Sequence, residues 1–269
     1  MNQKVRIDQL LVDRQLVSSR EKAKKYILAG LVFVNNQLID KVGAKVPLDG
    51  EITIKGNPLP YVSRGGLKLE KALREFNCSV VDKKAIDIGA STGGFTDCLL
   101  QHGASAVIAV DVGYGQLDWK LRNDKRVFVL ERTNIRYLDI SNLPYVPEIA
   151  TVDVSFISLT KILPKINELL AANGEIISLI KPQFEAGKDK VGKNGVVKSR
   201  EVHKEVLFKV ADAAIRLGLS VLNLTFSPIT GPKGNIEYLY YFSKNQPSSF
   251  FDLKTAIDKT VSTAWLECK

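Results

Sequence analysis

Residues 87–96 read Asp87-Ile88-Gly89-Ala90-Ser91-Thr92-Gly93-Gly94-Phe95-Thr96. They continue an apolar run, Lys84-Ala85-Ile86-Asp87-Ile88, that predicts a strand, and they open a stretch with helical spacing. Glycines at such a strand-to-helix turn let the backbone bend sharply and approach a ligand closely. The next predicted strand, 106–110, leads into Asp111, which stands 22 residues beyond Gly89. In a nucleotide-binding βαβ unit an acid about 20 residues on is where a ribose hydroxyl pair is held. The spacing Gly89-x-Ser91-x-Gly93 departs from the dinucleotide fingerprint. An acid at Asp87 would attract an ammonium group and repel a pyrophosphate. The pattern therefore favours a ribose-bearing cofactor with a methionine-like ammonium, lodged at the carboxyl edge of a sheet. A nucleophile elbow on Ser91 is the rival reading, and it requires a downstream Asp and His. His102 follows too soon for that, and His203 has no evident geometry.

On either side of this segment, apolar runs at 127–130, 149–152 and 175–180 predict further strands. Helical spacing at 66–76, 159–172 and 200–217 separates them. Strands alternating with helices predict a parallel, doubly wound α/β sheet. The last two runs, 220–226 and 236–242, have no helix between them and predict an antiparallel edge hairpin.

The first 60 residues have a different rhythm and predict a small α+β unit. Ile7, Leu10, Leu11 and Leu16 give one short apolar face. Ser18-Ser19-Arg20-Glu21 matches a capping box with Ser18 as the cap. It opens a helix with Ala23, Ile27 and Leu28 inward, which Gly30 ends. Residues 31–34, the turn Asn35-Asn36, and 37–39 predict a hairpin, and 51–54 another strand. Gly56-Asn57-Pro58-Leu59-Pro60 is rich in breakers and marks the boundary: residues 1–58 form one domain, 59–63 a linker, 64–269 the second domain.

The chain has 38 Lys plus Arg against 29 Asp plus Glu, a net charge of +9 and a pI near 9.3. That excess favours a polyanionic partner. No apolar run reaches the roughly 18 residues of a membrane span. The start MNQKVRIDQL lacks an apolar signal core, so the expected compartment is the cytosol. Three widely spaced cysteines and two distant histidines argue against a disulfide framework and a metal site.

Four ionisable residues fall at predicted element ends: Lys68 at a helix start, Asp153 and Lys181 after apolar strands, and Glu237 at the start of the last strand. Strand ends of an open α/β sheet converge on one crevice. Two amines and two acids gathered there suit proton removal from a hydroxyl, with one lysine weakened as an acid–base partner by the other.

Taken together, Ser63-Arg64-Gly65-Gly66 with Lys68-Leu69, residues 87–97, 111–117 and 153–159, Lys181-Pro182-Gln183-Phe184-Glu185, and 231–237 resemble the TlyA (hemolysin A) family of ribosomal RNA 2'-O-ribose methyltransferases. The first 60 residues look like the S4 RNA-binding domain, and the rest like an FtsJ-type Rossmann-like methyltransferase. The resemblance implies a catalytic set of Lys68, Asp153, Lys181 and Glu237. It implies S-adenosyl-L-methionine held by Asp87, Gly89, Ala90, Ser91, Thr92, Gly93, Gly94, Asp111, Asp153 and Phe156. It implies cytidine ribose in 16S or 23S ribosomal RNA, within ribosomal subunits, as the substrate. Arg6, Arg20, Lys22, Lys24, Lys25 and Arg64 are the expected RNA contacts. A catalytically silent RNA-binding or ribosome-assembly factor is the alternative, and the intact set of four argues against it. A membrane-damaging protein would need an apolar or amphipathic span that is absent. A pseudouridylating enzyme would leave the glycine segment and Asp111 unexplained.

Overall fold

The computed structural model describes residues 4–28, 30–56, 60–231, 233–247 and 252–268. The chain separates into two compact units, Met1–Pro60 and Tyr61–Lys269. Part of the breaker-rich connector, 57–59, lies outside the described residues.

The first unit runs β1 (Lys4–Arg6), α1 (Ile7–Asp13), α2 (Arg20–Leu28), β2 (Val32–Val34), β3 (Gln37–Ile39), β4 (Lys45–Pro47) and β5 (Ile52–Ile54). β2 pairs antiparallel with both β3 and β5, and β1 with β4. Asn35 and Asn36 carry φ of 50° and 62°, the left-handed values that a two-residue hairpin turn matched to strand twist demands. Ile7, Leu10, Leu11, Ala23, Ile27 and Val32 fill the core.

Several local expectations shift here. Ser19, not Ser18, caps α2: its Oγ accepts from Lys22 N at 3.3 Å. Glu21 therefore stands one place early for the reciprocal bond of a capping box. Leu28 is 62% exposed, since it follows the buried Ile27 and lies off the inward face of α2, and Leu16 is 42% exposed in the connection after α1. Strands β1 and β4, only three residues each, are too short for periodicity to reveal.

The second unit runs α3 (Gly65–Glu75), β6 (Lys84–Ile88), α4 (Gly94–Gln101), β7 (Ala106–Val110), α5 (Trp119–Arg122), β8 (Val127–Leu130), β9 (Ile149–Val152), α6 (Leu163–Leu169), β10 (Glu175–Ile180), α7 (Pro182–Glu185), α8 (Arg200–Arg216), β11 (Ser220–Phe226), β12 (Tyr238–Ser243) and α9 (Leu253–Glu267). The strands form one sheet in the order β11-β12-β10-β9-β6-β7-β8. β8, β7, β6, β9 and β10 are parallel neighbours, while β12 runs antiparallel between β10 and β11.

Alternate residues of each strand serve opposite cores, which is why the strands read as unbroken apolar runs. Ile86, Ile88, Ile108 and Val110 pack with α6, α8 and α9 on one face. Ala85, Val107 and Ala109 pack with α3 and α4 on the other. The expected helix at 159–172 is shorter than its apolar spacing suggested. A single 3-10 turn, Leu159–Lys161, precedes α6, and Pro164 stands in the first turn of that helix, where a missing N–H costs nothing. Glu237 precedes β12 by one residue rather than opening it. No helix among the described residues is long and apolar enough to cross a membrane.

Candidate active site

β6, β7, β9 and β10 all end at the same edge of the sheet, and β12, running the other way, begins there. The turn after β6 is built on Gly89, whose φ is +84°. A Cβ at Gly89 would stand 2.5 Å from the Asp153 carbonyl oxygen, so only glycine lets the β6 and β9 turns meet. Gly93 faces away from the crevice: a Cβ there would stand 2.3 Å from Leu121 Cδ1.

Asp111 ties this turn to the next. One carboxylate oxygen accepts from Ser91 N at 2.8 Å and the other from Gly113 N at 2.7 Å. The carboxylate borders a cavity of about 460 Å³ whose walls include Ile88, Val112, Ile135, Ile157 and Phe156. Phe156 holds a left-handed φ of +64° with its ring 90% exposed. A bulky side chain in that conformation stores about 1–3 kcal/mol of strain, which the surrounding turn must hold in place.

Asp87 is not where the sequence put it. Its carboxylate is fully buried, accepting from Thr96 Oγ1 at 2.7 Å and from Thr151 Oγ1 at 3.0 Å. It braces β6 against β9 and α4 from beneath the glycine turn and lines none of the cavities found there. Strand parity explains the correction, since Asp87 points between the layers while the residues after Ile88 reach the edge. Burial pushes its carboxyl up to about 7, against the two threonine hydrogen bonds.

The four ionisable residues do converge. Lys68 Nζ lies 2.6 Å from Glu237 Oε2, and Lys181 Nζ lies 2.5 Å from Asp153 Oδ1. Lys181 also donates to Ser155 Oγ at 3.0 Å. All four line a cavity of about 570 Å³. Lys68, Asp153 and Lys181 also line one of about 430 Å³ that reaches Gly89, Ser91 and Thr92. Each lysine is matched to its own carboxylate, Lys181 to Asp153 and Lys68 to Glu237. Lys68 and Glu237 are buried and Lys181 and Asp153 partly so, and taking charge out of water is tolerable only in such pairs.

One residue that the sequence left without a role holds this geometry. Glu185, buried at the end of α7, accepts from Ser158 Oγ and from Leu159 N, both at 2.6 Å. It locks the turn after β9 to the turn after β10, and so Asp153 to Lys181. Burial raises its carboxyl, and the two hydrogen bonds pull the other way. An acid three residues after Pro182, in the segment that follows an apolar strand, was the available signal.

Residues 61–244, more than half of the chain, match the FtsJ-like methyltransferase family, and residues 5–52 match the S4 domain.

The chain belongs to the FtsJ-like methyltransferase family.

Among relatives of this FtsJ-like methyltransferase, a candidate rRNA methyltransferase of Bacillus subtilis, YqxC, is 55% identical over 241 residues, 89% of this chain and 86% of its own. The 16S/23S rRNA (cytidine-2'-O)-methyltransferase TlyA of Mycobacterium tuberculosis is 40% identical over 268 residues, 99% of this chain and 96% of its own. A solved structure from Streptococcus thermophilus, described as a candidate hemolysin, aligns at 47% identity. Its TM-score is 0.77, covering 99% of this chain and 98% of that one.

In the S4 unit, Lys22, Lys24 and Lys25 lie exposed on α2. Arg6 and Arg20 both reach the buried carboxylate of Asp8, at 2.9 Å and 2.5 Å. The Arg6 hydrogen bond, with Arg20 adding to it, holds the Asp8 carboxyl down at about 2. Arg64 belongs to the methyltransferase unit, where its Nη2 donates to the Thr230 carbonyl at 2.9 Å on the rim of the crevice.

Proposed function

We propose that this chain methylates the 2'-hydroxyl of a cytidine ribose in ribosomal RNA, with S-adenosyl-L-methionine as methyl donor. The observation that carries the reading is the convergence of Lys68, Asp153, Lys181 and Glu237 on one cavity beside the glycine turn. The cytidine substrate of the Mycobacterium tuberculosis relative supports the choice of nucleotide.

The donor set suits that cofactor. Asp111 is only half-buried, and each of its oxygens keeps a lone pair for a ribose hydroxyl. Val112, Ile135 and Ile157 offer an apolar slot for a purine ring, and Phe156 stands at its mouth. Gly89, Ala90, Ser91, Thr92 and Gly94 border the passage toward Lys181. When bound, S-adenosylmethionine supplies an electrophilic sulfonium methyl group.

The chain's own residues handle the proton and the alignment. Lys181 takes the hydroxyl proton while passing one of its own to the Asp153 carboxylate beside it, so the ribose oxygen attacks as its proton leaves. Lys68, fixed by Glu237, orients the ribose from the opposite wall. Holding oxygen and methyl group in line can lower the barrier by roughly 7–11 kcal/mol. Arg6, Arg20, Lys22, Lys24, Lys25 and Arg64 contact phosphates, and ribosomal RNA as substrate makes this a cytoplasmic protein. The test is transfer of a tritiated methyl group to purified small and large ribosomal subunits, with the modified nucleotide then mapped. Label on a cytidine ribose is the expected result, and an inert protein or label on a base would refute the reading.

A further inference from the structure

Gln183 is the second residue of α7, two positions after Lys181, and the methyl-transfer scheme leaves it idle. Its side chain borders the 570 Å³ cavity shared by Lys68, Lys181 and Glu237. Its Oε1 is enclosed and accepts no hydrogen bond from the described residues. An enclosed amide oxygen without a donor costs roughly 1–3 kcal/mol, which a ligand that donated a hydrogen bond to it would recover. Glu237 Oε1, on the same cavity, is a second acceptor that finds no hydrogen-bond donor among the described residues. Phe184 and Phe156, their rings 5.0 Å apart, add aromatic surface to the same cavity. An amide edge beside aromatic walls is the chemistry that takes an unstacked nucleobase.

We propose that Gln183 reads the Watson–Crick edge of the base whose ribose is methylated. Its Oε1 accepts from the exocyclic N4 amine of cytosine, and its Nε2 donates to ring N3. The proposal rests on the methyl-transfer function above and deepens it. A nucleotide that leaves the helix stack to bring its ribose oxygen to Lys181 needs a place for its base to be held. Lys181 and Gln183 flank Pro182, and Glu185 fixes that same turn through Ser158 and Leu159. Hydroxyl and base are thereby registered against one rigid element. Uracil would set a carbonyl oxygen against Oε1, acceptor facing acceptor.

The test is a two-by-two comparison using the full chain. Wild type and Gln183→Leu are assayed on ribosomal subunits that lack the methyl group. These carry either cytidine or a cytidine-to-uridine change at the mapped nucleotide. On cytidine, Gln183→Leu should lower kcat/KM roughly ten- to a hundredfold. On uridine, wild type should already be that slow, and the substitution should matter less than about threefold. Calorimetric affinity for S-adenosylmethionine should hold, because Gln183 does not border the Asp111 cavity. If that affinity is lost, the leucine variant is misfolded and Gln183→Glu carries the test. It keeps the acceptor and loses the donor, and should fall between wild type and leucine on cytidine. Equal losses on cytidine and uridine would mark Gln183 as merely structural and overturn the proposal. So would full activity of Gln183→Leu on cytidine. A wild type that methylates neither subunit overturns this proposal and the function beneath it, whereas an active wild type indifferent to Gln183 overturns this one alone.

Discussion

Lys68 and Lys181 sit in a crevice, each within 2.6 Å of a carboxylate, while Lys22, Lys24 and Lys25 stand in solvent on α2. Both sets are cationic, yet they are built for different work. In the crevice, low dielectric makes each charge strong and dependent on its one partner. On α2 the charges are screened and individually weak, and the proposed RNA contact would sum them over phosphates. The net charge of +9 favours a polyanionic partner, whereas the proposed chemistry rests on charges that cancel in pairs.

Removing one partner in the crevice should give the largest effect. Glu237→Ala leaves Lys68 buried without compensation and should destabilise the methyltransferase unit by about 3–5 kcal/mol in denaturant unfolding. Lys68→Met combined with Glu237→Leu should recover most of that stability and none of the methyl transfer. Recovery of activity in the double variant would show that the pair is structural only.

Asp87 sharpens the contrast from below, as a buried carboxyl with hydroxyl partners and no cationic partner among the described residues. Its folded-state value near 7 lies above the ordinary carboxyl value of 3.8. The folded form therefore holds a proton that the unfolded chain has released. Its contribution is complete below the unfolded value and is lost as pH rises through about 7. Asp87→Asn, which keeps partners for both threonines, should gain stability over wild type as pH climbs from 4 to 7. The gain should reach at most roughly 4 kcal/mol and level off above that pH. A pH-independent difference between the two would contradict the burial argument.

On α2, reversing Lys22, Lys24 and Lys25 to Glu should weaken binding to ribosomal subunits by roughly ten- to a hundredfold at moderate salt. It should also flatten the salt dependence. The chain's melting should barely change, since these residues touch nothing in the core. The smallest effect belongs to the helix beneath them: Ser19→Ala should cost about 1 kcal/mol in the S4 unit, and Ser18→Ala nearly nothing.

Much of this was legible beforehand because each strand of the parallel sheet is buried on both faces. It therefore announces itself as a continuous apolar run with a charged or glycine residue at its end. Lys68, Asp153, Lys181 and Glu237 could be placed at one edge by topology alone. What topology could not supply was direction at single-residue precision. Asp87 and Asp111 both lie near strand ends, yet one points between the layers and the other into the crevice. The difference depends on where Thr96 and Thr151 stand. The hydrogen bonds of the Glu185 brace join segments 26 and 27 residues apart. No local pattern encodes them.

The central claim is that Lys181 acts on the hydroxyl and not on the fold or the cofactor. Lys181→Met, assayed for tritiated-methyl transfer to ribosomal subunits alongside calorimetric S-adenosylmethionine binding, tests it most directly. The account predicts transfer lowered about a thousandfold or more with cofactor affinity within a few-fold of wild type. Transfer at a wild-type rate, or a loss explained wholly by lost cofactor binding, would contradict it.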